Sequence, residues 1–274
     1  MIRVLQNLHT HTSFCDGKNT PQEMAQSALG LGMTSLGFSG HAYTPHDESY
    51  CMSLERTQRY FETIEAMKRD ERFSHLTLFV GLEQDLYSVP PAIDTQFLIG
   101  SVHYVEKCGE YIPVDETREH IESAVTRLYG GDVYAFLEDY YRLVSQVYDK
   151  TRCDIVGHID LCEKFNGDGS LFDRNAPRYT AAYESAVKTL ASSGCIFEVN
   201  TGAMSRGYTD FPYPQKRLLE TIKKYGGRIT LSSDSHSAET VNYKLDEMCA
   251  YAKSCGFDER FELNVSGAFT AVPI

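Results

Sequence analysis

Positive charge is scarce in this 274-residue chain: 26 lysines and arginines stand against 38 aspartates and glutamates, a formal net charge of −12. A protein that tracks a nucleic-acid backbone normally presents a basic stripe, so nucleic acid is not an expected partner. CxxC pairs are lacking too. The eight cysteines are scattered, several inside apolar runs where a thiol packs as a small hydrophobe, which predicts a reduced, cytosolic protein. No stretch approaches the roughly 18 apolar residues of a membrane span, and Met1–His9 lacks the apolar run of a signal peptide. Neither membrane insertion nor export is expected, and the location expected is cytoplasmic. Low-complexity linkers, charge runs and internal repeats are also missing, so residues 1–274 are read as one domain, a length that suits an α/β barrel of roughly 250 residues.

What is present is a run of short apolar segments rich in β-branched and aromatic residues: Ile2–Leu8, Ser35–Ser39, Thr77–Leu82, Phe97–Val102, Asp154–Gly157, Ile196–Asn200 and Arg228–Ser232. Helical patterns separate most of them. Pro21–Leu31 opens with Thr20 as N-cap, Pro21 in the first turn and Glu23 completing a capping box; Leu54–Arg69, Ala176–Ser192 and Pro214–Tyr225 repeat apolar residues every three or four positions. Alternating strand and helix implies a parallel sheet, and strands apolar on both faces favour a closed or nearly closed barrel. Phe261, Leu263 and Val265 alternate near the C-terminus, but a regular eighth barrel position is doubtful there. The longest connection, about 104–152, is expected to be a helical insertion of two helices, with Val133, Leu137, Tyr140, Val144 and Val147 as one apolar stripe.

The chemistry sits at the ends of these segments. They finish in His9-Thr10-His11, His41, Glu83, His103, His158 with Asp160, and Asp234-Ser235-His236. In a parallel barrel all strand C-termini open on one face, so residues scattered in sequence converge. The period of a strand turns both histidines of an HxH to one side, where they can chelate a cation. One such histidine alone reads as an ordinary core residue; the repetition predicts a metal site. Asp16, before Gly17, reads by itself as a turn residue. His46, His75 and His120 fall in loops or polar helix faces and are expected to be solvated surface residues. So many ligands exceed one tetrahedral zinc and suggest two or three zinc, iron or manganese ions, a set suited to hydrolysis of a phosphate ester.

Taken as a set, His9-Thr10-His11 followed by Asp16-Gly17, the strand-end His41 and Glu83, Ser101-Val102-His103, Gly157-His158-Ile159-Asp160 and Asp234-Ser235-His236 resemble the polymerase and histidinol phosphatase (PHP) superfamily, and within it the PHP-type histidinol-phosphate phosphatases. The resemblance spans nearly the whole chain and implies a distorted (β/α)7 barrel. It also implies one metal held by His9, His11, Glu83 and Asp234, a second by Glu83, His103 and His158, and a third by Asp16, His41 and His236. Lys164 and Arg206 match positions that bind the substrate phosphate, although arginine is the usual residue at the first. Asp160 has no metal role in this scheme and is expected to support its loop or orient a ligand. The implied reaction is hydrolysis of L-histidinol phosphate to L-histidinol and inorganic phosphate, with Asp16, Glu83 and Asp234 as the reactive-centre carboxylates; Asp16 is also a candidate acid for the leaving alkoxide. Another PHP phosphoesterase, acting on a nucleotide or other small ester, is the nearest alternative. A barrel amidohydrolase fits the paired Asp234-Ser235-His236 poorly, and a non-catalytic metal-binding module is disfavoured by the intact motifs.

Overall fold

The structure, a computed structural model, describes residues 3–274, so Ile2 of the first expected strand lies outside the described residues. In chain order the strands are β1 (Gln6–Asn7), β2 (Ser35–Phe38), β3 (Thr77–Val80), β4 (Leu82–Asp85), β5 (Leu98–Ser101), β6 (Tyr104–Lys107), β7 (Glu110–Pro113), β8 (Ile155–Val156), β9 (Ile196–Asn200), β10 (Arg228–Ser232), β11 (Glu259–Leu263) and β12 (Phe269–Pro273). The helices are α1 (Pro21–Gly30), α2 (Leu54–Met67), α3 (Arg118–Leu128), α4 (Val133–Val144), α5 (Val147–Thr151), α6 (Pro177–Ser193), α7 (Gly202–Ser205), α8 (Lys216–Lys224) and α9 (Leu245–Ser254).

Two parallel arcs make the sheet, one of order β1-β2-β3 and one of order β10-β9-β8-β5-β4. Single bridges, in which β1, β2 and β10 are extended beyond their ends, join them. His41 pairs with Glu83 where β2 runs on beside β4, and Thr10 pairs with Ser235 where β1 runs on beside β10. The His11 amide donates to the Ser235 carbonyl at 2.8 Å, closing the ring between the first and last barrel positions. Because β3 and β4 occupy one position, split at Gly81, the result is the distorted (β/α)7 barrel. A Cβ on Gly81 would lie 2.5 Å from the Phe97 carbonyl oxygen, so the break needs glycine. Tyr60 of α2 satisfies the backbone there: its hydroxyl donates to the Gly81 carbonyl at 3.0 Å and accepts from the Gly40 amide at 3.2 Å.

Local signals explain several elements. Thr20 caps α1 with the full capping box to Glu23, and Gly194 ends α6 in the left-handed conformation, φ +83°. The outer helices and the outward strand faces form the large apolar core, while Leu8, Phe79, Phe97, Ile99, Ile155, Ile196 and Leu263 form a second cluster at the other end of the barrel from the strand C-termini. Leu263 belongs to the β11–β12 hairpin, antiparallel and docked by reciprocal hydrogen bonds between Gln6 and the Leu263 backbone. The C-terminal alternation thus makes a hairpin, not an eighth barrel strand, and Val265 is exposed in its turn.

The 104–152 insertion departs from the expected two helices. It begins with the β6–β7 hairpin, turning at Cys108 and Gly109, both left-handed, and continues through α3, α4 and the short α5. The expected stripe faces inward at Leu137, Tyr140, Val144 and Val147, with Val133 partly buried at its end. No helix among the described residues is long and apolar enough to cross a membrane.

Candidate metal centre

At the rim the strand period delivers what the sequence promised. His9 and His11 flank Thr10, held by its bridge to Ser235, and both imidazoles are fully buried on the inner face. Glu83, on β4, stands at the middle of the cluster. Its Oε2 lies 3.1 Å from His9 Nε2, 3.1 Å from His41 Nδ1 and 3.4 Å from His11 Nε2. Its Oε1 lies 2.9 Å from His158 Nε2 and 3.6 Å from His103 Nε2, and accepts a 2.6 Å bond from Ser101 Oγ. One carboxylate therefore reaches imidazoles from β1, β2, β5 and β8. Gly157 lets Ser101 approach: a Cβ there would lie 2.5 Å from its hydroxyl.

Asp234 completes the inner end. Its Oδ1 is 3.3 Å from His11 Nε2 and 3.6 Å from His9 Nε2, and its backbone is left-handed at φ +48°, a strained conformation for a residue other than glycine. Asp16 lies at the outer end, with Oδ2 3.1 Å from His236 Nε2 and Oδ1 3.5 Å from His11 Nδ1 and 3.8 Å from His41 Nε2. Ligand atoms gather in four overlapping groups, each within 4.8 Å: His11, Asp16, His41 and His236; His9, His11 and Asp234; His9, Glu83 and His158; His41, Glu83 and His103. All nine expected ligand residues are thus brought together.

Of the two expected phosphate binders, Arg206 follows α7 and reaches the cluster directly. Its Nη2 donates to Asp234 Oδ2 and its Nη1 to the Asp234 carbonyl, both at 3.1 Å. A Cβ on Gly202 would lie 2.5 Å from Asp234 Oδ2 and 2.9 Å from Arg206 Nη2, so this approach requires glycine. Lys164 lines the same cavity, of about 240 Å³, but its Nζ is tied to the Asp115 carbonyl and lies 3.5 Å from Asp115 Oδ2. Asp160 does not orient a ligand histidine: it accepts from the Gln215 amide at 2.8 Å and supports that loop. His75 and His120 are exposed, whereas His46, expected in solvent, is half-buried and stacks on Tyr111 at 3.9 Å and against the edge of Tyr104.

Two functional carboxylates escaped the sequence reading. Glu198, buried in β9, accepts from His9 Nδ1 at 2.5 Å, from the His158 amide at 2.9 Å, and from Ser232 Oγ. Because a carboxylate only accepts, it holds the Nδ1 proton and points His9 Nε2 at Glu83 and Asp234. Asp85 fixes His103 through the backbone: its Oδ2 accepts from the His103 amide at 2.7 Å and stands 3.3 Å from Nδ1 without a hydrogen bond to it. An acidic residue inside the otherwise apolar Ile-Phe-Glu-Val-Asn was the available signal for Glu198.

Electrostatics follow from crowding. Burial opposes charge on His9, yet Glu198, Glu83 and Asp234 outweigh it and hold its pKa well above the usual imidazole value. Burial likewise disfavours the Glu83 and Asp234 carboxylates, but His9 and His41 hold the first well below the ordinary range, and Arg206 and His9 the second. His41, with burial dominant, falls to about 3, while at His103 burial is outweighed by Asp85 and Glu83 and the pKa rises to about 9. His11 Nε2 is buried without a hydrogen bond, although two carboxylate oxygens stand within 3.4 Å. Crowded imidazoles and carboxylates, with an inward His11 Nε2 that no hydrogen bond satisfies, are a donor set that transition cations fit.

A family model described as PHP domain matches residues 7–202. The chain belongs to the PHP domain family. Relatives of this PHP protein include a Deinococcus radiodurans protein named "Probable histidinol-phosphatase", 29% identical over 259 residues that cover 90% of this chain and 92% of the relative. The histidinol-phosphatase of Bacillus subtilis is 26% identical, covering 90% of this chain and 98% of its own length. The histidinol phosphate phosphatase of Lactococcus lactis, solved with zinc, L-histidinol and phosphate, shares the PHP fold at a TM-score of 0.69 and 19% identity, over 97% of this chain and 98% of that one.

Proposed function

We propose that this PHP protein is a metal-dependent phosphomonoesterase that hydrolyses L-histidinol phosphate to L-histidinol and inorganic phosphate, acting in histidine biosynthesis in the cytoplasm. The observation that carries the phosphatase reading is the convergence of nine candidate ligand residues, seven of which line one cavity whose wall also carries Arg206 and Lys164. The choice of ester is supported by relatives named histidinol-phosphatase that align over nine-tenths of the chain, and by L-histidinol and phosphate bound in the Lactococcus lactis neighbour.

In this reading the cations, zinc as in that neighbour or iron or manganese, occupy three positions: His9, His11, Glu83 and Asp234; Glu83, His103 and His158; and Asp16, His41 and His236. The central place of Glu83 supports its sharing between two of them. When bound, they supply neutralisation of the phosphoryl charge and a nucleophilic water at neutral pH. The chain's own residues do the positioning. Arg206, fixed by Asp234, offers the guanidinium edge not spent on that carboxylate to the phosphoryl oxygens, and Lys164 adds a second cation on the same wall. Asp16 is nearer solvent than the other carboxylates of the cluster and, held ionised by His41 and His236, would pass to the leaving alkoxide only a proton taken from the attacking water.

Phosphate release from L-histidinol phosphate, measured beside a panel of nucleotide and sugar phosphates with metal content determined on the same sample, tests this. A clear kcat/KM preference for histidinol phosphate that vanishes on chelation is expected. A nucleotide or sugar ester as best substrate would reassign the enzyme within the PHP family.

A further inference from the structure

The cavity has a second half that the phosphate chemistry does not use. Beyond the ligand groups its wall carries Asp47, Ser49, Tyr50, Tyr104, Asp115 and Glu116, contributed by the β2–α2 loop and by the insertion. Carboxylates at the mouth of a site that takes a phosphate dianion repel it and slow its approach. They are favourable only if the ester also brings positive charge.

The three acids are not equivalent. Glu116 is engaged by His120 Nδ1 at 2.9 Å. Asp47 is hydrogen-bonded at both oxygens, by Ser49 at Oδ1 and by the Tyr104 hydroxyl at Oδ2, 2.7 Å. Asp115 is different: its Oδ2 has only Lys164 at 3.5 Å, and its Oδ1 accepts no hydrogen bond among the described residues. It is also held in place, because the neighbouring Val114 is buried and donates its amide to the His103 carbonyl at 2.9 Å, while Lys164 grips the Asp115 carbonyl. An acceptor is thus fixed near His103 in the wall of the cavity. Independently, the wall is flat and aromatic. Tyr50 packs edge-on to His41 at 4.8 Å and tilts 33° from Tyr104 at 6.3 Å, which suits a planar ring or an organic cation.

We infer that Asp115 Oδ1 receives an ammonium group on the alcohol half of the ester, beside an aromatic wall of Tyr50 and Tyr104, so that the enzyme selects phosphate esters of amino alcohols over neutral esters of equal size. Asp47 adds charge to the same half without contacting the amine. The inference rests on the phosphatase reading above and goes beyond it in naming what distinguishes this ester from others.

The experiment compares two matched pairs on the metal-loaded enzyme: L-histidinol phosphate against its des-amino analogue, 3-(imidazol-4-yl)propyl phosphate, and phosphoethanolamine against ethyl phosphate. Wild type is expected to favour the amine member of each pair by about 10- to 100-fold in kcat/KM, the range of one charge-assisted hydrogen bond. Asp115→Asn should raise KM for the amine esters by that factor, leave kcat within about threefold, leave the amine-free esters unchanged, and so abolish the preference. Asp115→Glu should restore part of it, which a merely structural role would not produce. A wild-type preference below about threefold in both pairs overturns the inference, as does an Asp115→Asn variant that weakens amine and amine-free esters alike. Should that variant not fold, the wild-type ratios decide alone. If phosphoethanolamine is preferred over ethyl phosphate while L-histidinol phosphate is no better than the panel, the histidinol reading fails and the amine subsite stands.

Discussion

The two ends of the barrel are built from the same strands by opposite rules. Along the inner face of β9, Ile196 is followed by Glu198 and then Asn200; from Phe97 through β5, Ile99 is followed by Ser101. The lower positions join Leu8, Phe79 and Ile155 in an apolar cluster under the C-terminal hairpin, where burial stabilises. The upper positions bury imidazoles and carboxylates without enough internal hydrogen bonds to satisfy them, and hold Asp234 in a strained backbone. One end supplies stability and the other consumes it. Substitutions at the two ends should therefore separate activity from folding.

The largest effect is expected at the rim. His9→Ala or Asp234→Ala should lower kcat/KM by at least about 10⁴-fold, because a group that works as a unit fails when one member goes. Full activity in either purified variant would dismantle the ligand assignment. At the floor, Phe97→Ala should cost about 3–5 kcal/mol in denaturant unfolding, while the fraction that remains folded keeps its kcat. A fall in kcat as large as that of His9→Ala would mean that floor and rim are not separable.

How much of this could be read in advance follows the same division. Strand ends carrying His, Asp and Glu were legible because the strand period and the shared direction of a parallel barrel decide where such residues converge. β9 and β10 occur with their expected limits because each is a short run rich in β-branched or aromatic residues. Glu198 was not legible as a ligand-orienting group, since its meaning lies across the ring in His9, 189 positions away. The Thr77–Leu82 run hid the break at Gly81, because the steric demand comes from Phe97 on another segment. The β6–β7 hairpin was masked by polar, partly exposed strands, and Asp115, which it positions, went unread with it.

Glu198→Gln probes the seam between the two halves. The amide preserves shape but can turn its NH₂ toward His9 Nδ1, so the imidazole loses its fixed orientation. Metal affinity, measured by competition with a chromophoric chelator, should weaken about 10- to 100-fold, and kcat should recover at saturating metal. Unchanged affinity would reduce Glu198 to a packing residue of β9.

The smallest effect is expected where floor and rim are tied together. Tyr60 reaches from α2 to the Gly40 amide, one residue before His41, and to the Gly81 carbonyl, two before Glu83. Tyr60→Phe keeps the ring and leaves both buried backbone groups without that partner, a cost of about 1–2 kcal/mol. If the rim is held chiefly by its own ligands, the metal-loaded variant should keep kcat and metal affinity within about threefold while the metal-free form unfolds at lower denaturant. If affinity instead falls as far as in Glu198→Gln, the strand break at Gly81 is part of what positions Glu83, and the separation of the two ends holds only with Tyr60 in place.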